Sequence, residues 1–389
     1  MIFLMNKMDT NMAETMTSRE RVIKTLNHGI PDRVPIDLGM NSATGISGFA
    51  YWNLCRHLNL STDAIELYHS VMLLARVEEE VLKRVHSDCI LLEPRAPRLR
   101  RWNPRGNYVF NIPSYMEPQK NEKGEWILTK GNLKMRMPED GYFFDGDWIA
   151  YGDPFEDKAF KSLTAEAERI YKETDKFTSF KGFYPFYRQD MDYFCDMITE
   201  PERLMEENEY QLKEQLKNAG RFVKAMKNYA GAVCLGGDLG GQDTPMCRPE
   251  SFEKIVMPYL KVFTDFIHRN SDMKIFLHTC GAVEPLIPLL IESGIDILNP
   301  VQISAKGMEP RVLKQKYGKD IVFWGGGADT QTVLGMKPGS AVAENVRYLM
   351  NCFKPGGGYV FTPVHNIMGN IRPEDILTVY DTAYREGFY

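Results

Sequence analysis

A histidine and a cysteine two residues apart, in Lys274–Gly281 (KIFLHTCG), are the side chains of this sequence best suited to chemistry. Apolar Ile275, Phe276 and Leu277 predict a short buried strand that opens into His278, Thr279, Cys280 and Gly281. Side chains alternate along a strand, so His278 and Cys280 face the same way. An imidazole and a thiol that converge at a strand end suit a soft to borderline metal such as zinc. The pair also reads as a buried histidine beside a small hydrophobic cysteine. More polar residues stand just past other apolar runs: Asp238 and Gln242, Asn299 and Gln302, Asp329, and His365 followed by Asn366. His278, Cys280 and His365 can supply three ligands, with Asp238, water or substrate in the fourth position of an open site. No zinc-finger spacing is present, so the alternative is that these residues hydrogen-bond an organic substrate without metal. Asp238 in GGDLGG can be a ligand, a general base or an acceptor for substrate N–H groups. It can equally only stabilise a turn.

These residues meet only if the elements before them share one end of a sheet. After a capped helix beginning at Thr17 or Ser18, Val34–Leu38 predicts a first strand and Asp88–Leu92 a second. Helical patterns cover Tyr51–Leu58 and Val71–Val85. Residues of about 105–150 break the rhythm with turn signals at Lys123-Gly124 and Gly131-Asn132, predicting a β-hairpin insertion. Beyond Leu163 short apolar runs alternate with helical stretches: Phe177–Phe180, Ala232–Leu235, Ile275–His278, Ile295–Leu298, Ile321–Trp324 and Tyr359–Thr362. Eight strands alternating with helices predict a (β/α)8 TIM barrel, whose chemistry gathers at the C-terminal strand ends. A doubly wound sheet would call for a GxGxxG after the first strand, and there is none. The expected organisation is a disordered lead, 1–16, and one barrel over 17–389.

The 389 residues are 43% hydrophobic and 25% charged, as in ordinary globular proteins, and enough for a core without staples. A formal net charge of −5 gives no field favouring nucleic acid or an anionic membrane. The basic Arg95–Arg105 stretch lacks a nucleic-acid motif, and its first Arg/Pro residues read as a loop after a strand. Seven cysteines without a CxxC pair fit a reducing compartment, and no signal peptide or membrane span is evident, so a cytoplasmic location is expected. Aromatic residues at Tyr51-Trp52 and between Phe177 and Phe194 form either a wall for an aromatic or methylated substrate or plain packing. The strand ends named above show no basic residue.

Six segments in order, TSRERVIKTLNHGIPDRVPID (17–37), GGDLGGQDTPM (236–246), FLHTCG (276–281), DILNPVQ (296–302), FWGGGADTQ (323–331) and PGGGYVFTPVHNI (355–367), resemble the uroporphyrinogen decarboxylase superfamily. The resemblance implies a TIM barrel. Its decarboxylases act without metal and carry an arginine-rich PxWxMRQAGR signature. Here DLGMNSATG (37–45) follows the first strand, with no arginine. The cobalamin-dependent methyltransferase-like branch holds zinc with a His-x-Cys pair and a later cysteine. His278-Thr279-Cys280 matches the pair, and His365 stands where the later cysteine would be. The resemblance thus implies zinc and a corrinoid (cobalamin) carried by a partner protein. Asp238 would be the fourth ligand or a proton relay, with Gln242, Asn299, Gln302 and Asp329 on the substrate. The methyl donor or acceptor would be a phenyl ether, a methylamine or a thiol. A metal-free decarboxylase or lyase acting on a carboxylated substrate is the alternative, and superfamily members are often monomers or dimers.

Overall fold

A computed structural model describes residues 13–149 and 151–389. The core is a parallel sheet of six short strands, Ser179–Lys181, Ala232–Gly236, Lys274–His278, Ile297–Asn299, Val322–Trp324 and Tyr359–Val360, hydrogen-bonded in chain order. Each is followed by a helical segment, so both faces are covered, and the strands are apolar runs without a polar face. One set of side chains (Ala232, Cys234, Phe276, Ile297, Val322, Trp324 and Val360) packs with Val22 and Leu26 of the first helix, Ser18–Leu26. The alternate set, among them Val233, Leu235, Ile275, Leu277 and Phe323, packs in the larger cluster with the surrounding helices.

Main-chain bonds continue past both outer strands. Phe177 N–H donates to Asp88 O (2.9 Å), and Asp88 N–H donates to Ile36 O (2.7 Å). Asp37 N–H donates to Phe361 O and Phe361 N–H to Pro35 O, both at 2.8 Å. The expected first and second strands are therefore single parallel bridges at Ile36 and Cys89. Prolines at 31 and 35 remove donors, which is one reason the first segment forms no longer ladder. The architecture is mixed α/β built on a six-stranded parallel sheet.

Elsewhere the chain departs from expectation. No helix spans Val71–Val85. Leu74–Ala75 pairs with Leu67–His69 as a two-stranded ribbon, and only Glu79–Arg84 is helical. The insertion is larger than one hairpin and begins earlier. Leu99–Arg105 pairs with Tyr108–Pro113, so the basic stretch is a strand from Leu99 onward, and a four-stranded antiparallel sheet runs through Gln119–Lys120, Trp126–Lys130, Leu133–Met137 and Asp145–Gly146. Of the expected lead, residues 1–12 lie outside the described residues. Glu14 pairs with Arg21 and Arg33, and the main-chain N–H groups of Thr15 and Met16 donate to the Asp32 carboxylate. Thr17 caps the first helix, in a reciprocal pair with Glu20. Among the described residues, no helix is long and apolar enough to cross a membrane.

Candidate metal centre

Strand register sets the site. His278 pairs with Gly236 on one side and with Asn299 on the other. His278 has the parity of Phe276, and Asn299 that of Ile297, so both stand one layer above the buried inner side chains. Asn299 is fully buried. Its Nδ2 donates to Trp324 O (2.8 Å), which fixes its Oδ1 against His278 Nδ1 at 2.6 Å. An amide oxygen only accepts, so Nδ1 carries the proton and Nε2 is left with a free lone pair.

That lone pair lies 3.7 Å from Cys280 Sγ. The His365 ring stands edge-on to the His278 ring, with centroids 5.6 Å apart. One donor atom each from His278, Cys280 and His365 falls within 4.8 Å of the others. A tetrahedral zinc, with Zn–S near 2.3 Å and Zn–N near 2.0–2.1 Å, sets sulfur and nitrogen about 3.5 Å apart. The observed donors and spacing therefore fit a zinc ion with three protein ligands.

Asp238 is close but differently employed. Its Oδ1 accepts from the Cys280 main-chain N–H at 2.9 Å and lies 4.0 Å from His278 Nε2. Its own N–H donates to Gln189 Oε1 (2.8 Å), while Leu239 N–H donates to Thr279 Oγ1 (2.8 Å). Two glycines weld the loops bearing Asp238 and Cys280. A Cβ on Gly281, at φ +92°, would sit 2.1 Å from Gly240 O. No other side chain permits that approach.

Burial and charge leave the donors in proton states that a cation would change. Burial lowers the pKa of His278, against the raising influence of Asp238 and Asn299. His365 is pushed down to about 4, first by burial and then by His278. Burial and the Asp238 carboxylate push the Cys280 thiol up. Without a cation these groups are two neutral imidazoles and a protonated thiol. A divalent ion reverses the thiol's preference, because a coordinating thiol is deprotonated.

The other expected residues divide. Gln302 Oε1 accepts from Gly281 N–H (2.8 Å), and its Nε2 donates to Gln242 Oε1 (3.1 Å). These two glutamines brace the Cys280 turn, and Gln242 also donates to Ser304 O. Asp329 turns its carboxylate onto its own loop, accepting from Gln331 N–H, Thr332 N–H and Thr332 Oγ1. Sequence reasoning passed over Gln189, Thr279 and Lys181. Lys181 ends the Ser179–Lys181 strand, which adds a basic residue at a strand end outside those named from the sequence. The signal was available: a lysine closes an apolar aromatic run, but the strand was drawn one residue short, at Phe180.

The Uroporphyrinogen decarboxylase (URO-D) family model matches residues 194–385, the half of the chain that holds His278, Cys280 and His365. On that match residues 194–385 belong to the uroporphyrinogen decarboxylase superfamily. Its fold is similar to that of a methyltransferase from Methanosarcina mazei, with a TM-score of 0.57 and 15% identity over 95% of this chain and 99% of that one. A looser likeness, at TM-score 0.38 and 11% identity, is to PbGH5A, a glycoside hydrolase family 5 enzyme from Prevotella bryantii B14, over 58% of this chain and 76% of that one. No curated protein matches in sequence.

Proposed function

We propose that the chain is a zinc-dependent methyltransferase that moves a methyl group between a small substrate and a corrinoid protein. The substrate is a phenyl ether, a methylamine or a thiol. In this reading the sheet and the bridged segments at Ile36 and Cys89 form a (β/α)8 barrel with the site at its C-terminal mouth. The observation that carries it is the convergence of His278, Cys280 and His365, with His278 oriented by Asn299. Similarity to a methyltransferase fold supports it.

Zinc bound there supplies Lewis acidity to the heteroatom that gains or loses the methyl group. The chain's own residues do the rest. Asn299 holds the His278 tautomer. Asp238, beside the donors and partly exposed, takes or returns the proton of a thiol, hydroxyl or amine. Gln302 and Gln242 hold the Cys280 turn at the mouth. The partner's corrinoid docks over the same mouth.

The test is metal content of the purified chain beside Cys280→Ser, followed by methyl transfer to an added corrinoid protein. About one zinc per chain, lost in the variant together with transfer, is expected. Wild-type protein that takes up no zinc under reducing conditions would overturn the reading. Lys181 keeps a second reading in view, a metal-free decarboxylase, because a lysine at the mouth can hold a carboxylate. That reading expects carboxyl loss without metal.

A further inference from the structure

At the end of the Ser179–Lys181 strand, two strands along the sheet from His278, lies a cavity of about 230 Å³ that the methyltransferase reading does not use. Its wall comes from the loop after the first bridged segment, the Leu67–His69 ribbon, the end of the second bridged segment, the insertion and the Ser179–Lys181 strand. Two opposite charges face it, Lys181 and Glu93. They sense one another electrostatically, yet no ion pair joins them among the described residues. Lys181 Nζ donates only to Ser42 Oγ, at 2.8 Å. No hydrogen bond to the Glu93 carboxylate is seen among the described residues. Both side chains are exposed within the cavity, and the Glu93 carboxylate feels Arg76 ahead of Lys181. Neither group makes an ion pair among the described residues, so both are open to a ligand that enters the cavity.

Aromatic rings line the cavity, and two of them, Tyr68 and Tyr115, are near enough to Glu93 to feel its charge. Tyr68, Tyr115 and Trp148 line the cavity, Tyr115 and Trp148 at its exposed rim. The Tyr68 hydroxyl is buried and has no hydrogen-bond partner among the described residues. A carboxylate set among aromatic faces suits a quaternary ammonium, which the rings attract through their quadrupoles and which requires no donated hydrogen bond. A lysine with a neighbouring hydroxyl, on the other side of so small a space, suits a carboxylate. Lys181 pairs in register with Cys234, on the strand next to that of His278. A ligand held on Lys181 therefore sits two strands along the sheet from His278.

We propose that this cavity binds a small N-methylated zwitterion, its carboxylate on Lys181 and Ser42 and its quaternary ammonium beside Glu93, Tyr68 and Tyr115. This rests on the methyltransferase reading for what becomes of the ligand, but the binding itself needs neither zinc nor corrinoid. Within that reading it narrows the substrate class to the methylamines.

The experiment is calorimetric titration of the full chain with glycine betaine, and in parallel with acetate and with tetramethylammonium. Betaine is expected to bind at least about tenfold tighter than either single-charge probe, since it alone completes both charges. Lys181→Met and Glu93→Gln are each expected to weaken it about tenfold or more, with unchanged circular dichroism. Cys280→Ser is expected to bind it as wild type does. Betaine binding no tighter than acetate or tetramethylammonium overturns the proposal, as does wild-type affinity in either cavity variant. If Lys181→Met does not fold, Glu93→Gln alone decides. Betaine binding by a chain that neither holds zinc nor transfers methyl sustains this site and overturns the reaction instead.

Discussion

Ionisable groups gather at two ends of this molecule, and they are treated in opposite ways. Below the inner core, Arg21 bonds Asp32 (2.6 Å) and Asp88 (2.6 Å), and Arg33 bonds the other Asp88 oxygen (2.7 Å) and Glu14 (2.9 Å). Asp88 also accepts the Ile36 N–H at 2.8 Å. At this end carboxylates and guanidiniums answer one another, and the arginine partners hold Glu14 and Asp32 low. Above the core, His278, Cys280, His365, Lys181 and Glu93 are shifted mainly by burial, toward their uncharged forms. The lower cluster is complete and holds the chain together. The upper one is left incomplete, and incompleteness is what a metal or a substrate can use.

The contrast can be broken from either side. The largest effect on function is expected from His278→Ala, which should take zinc content and methyl transfer to background while melting temperature stays near wild type. A variant that still binds zinc would show that the donors are not the three named here. The largest effect on stability is expected from Asp88→Ala, which leaves Arg21 and Arg33 buried without their shared partner. A loss of about 3–5 kcal/mol in denaturant unfolding is expected, and an unchanged midpoint would mean the cluster is decorative.

Asn299→Ala should sharpen the picture by a middle-sized amount. It removes the acceptor on His278 Nδ1 without touching a donor atom, so zinc affinity should fall about 10–100-fold in competition with a chelator. The smallest effect is one of pH. His365 has a folded pKa of about 4, below its ordinary 6.5, so metal-free protein binds more protons when unfolded over that window. The histidine's contribution to stability is present above about pH 6.5 and is lost as pH falls through about 4. Melts of metal-free protein between those values should slope downward with falling pH, and less so in His365→Gln.

The sequence showed the strand ends of the second half clearly, because each is a short apolar run closed by glycine or a polar residue. His278, Cys280 and His365 were legible for that reason. The first half was harder to read. Ile36 and Cys89 make single bridges, and an apolar helical spacing at Val71–Val85 hid a two-residue strand whose pairing partners lie elsewhere in the chain. Glu93 and the rings of Tyr115 and Trp148 come from a loop and from the insertion, so no periodicity pointed to them. Asp329 looked like the other polar residues past strand ends. Only the fold shows that its carboxylate closes its own turn.

The seam between Ile36 and Phe361 has a consequence in time. Nothing can close it until almost the whole polypeptide has left the ribosome, and contacts of such long range form late. His365 arrives on that same last segment, and Asn366 beside it ties the seam further, accepting from Gly45 N–H at 2.6 Å and donating to Ser42 O at 3.0 Å. On the zinc reading, a nascent or truncated chain therefore offers His278 and Cys280 without the third donor, a weaker chelate. Firm capture of zinc would then coincide with completion of the fold, so a half-made chain would not compete for the metal.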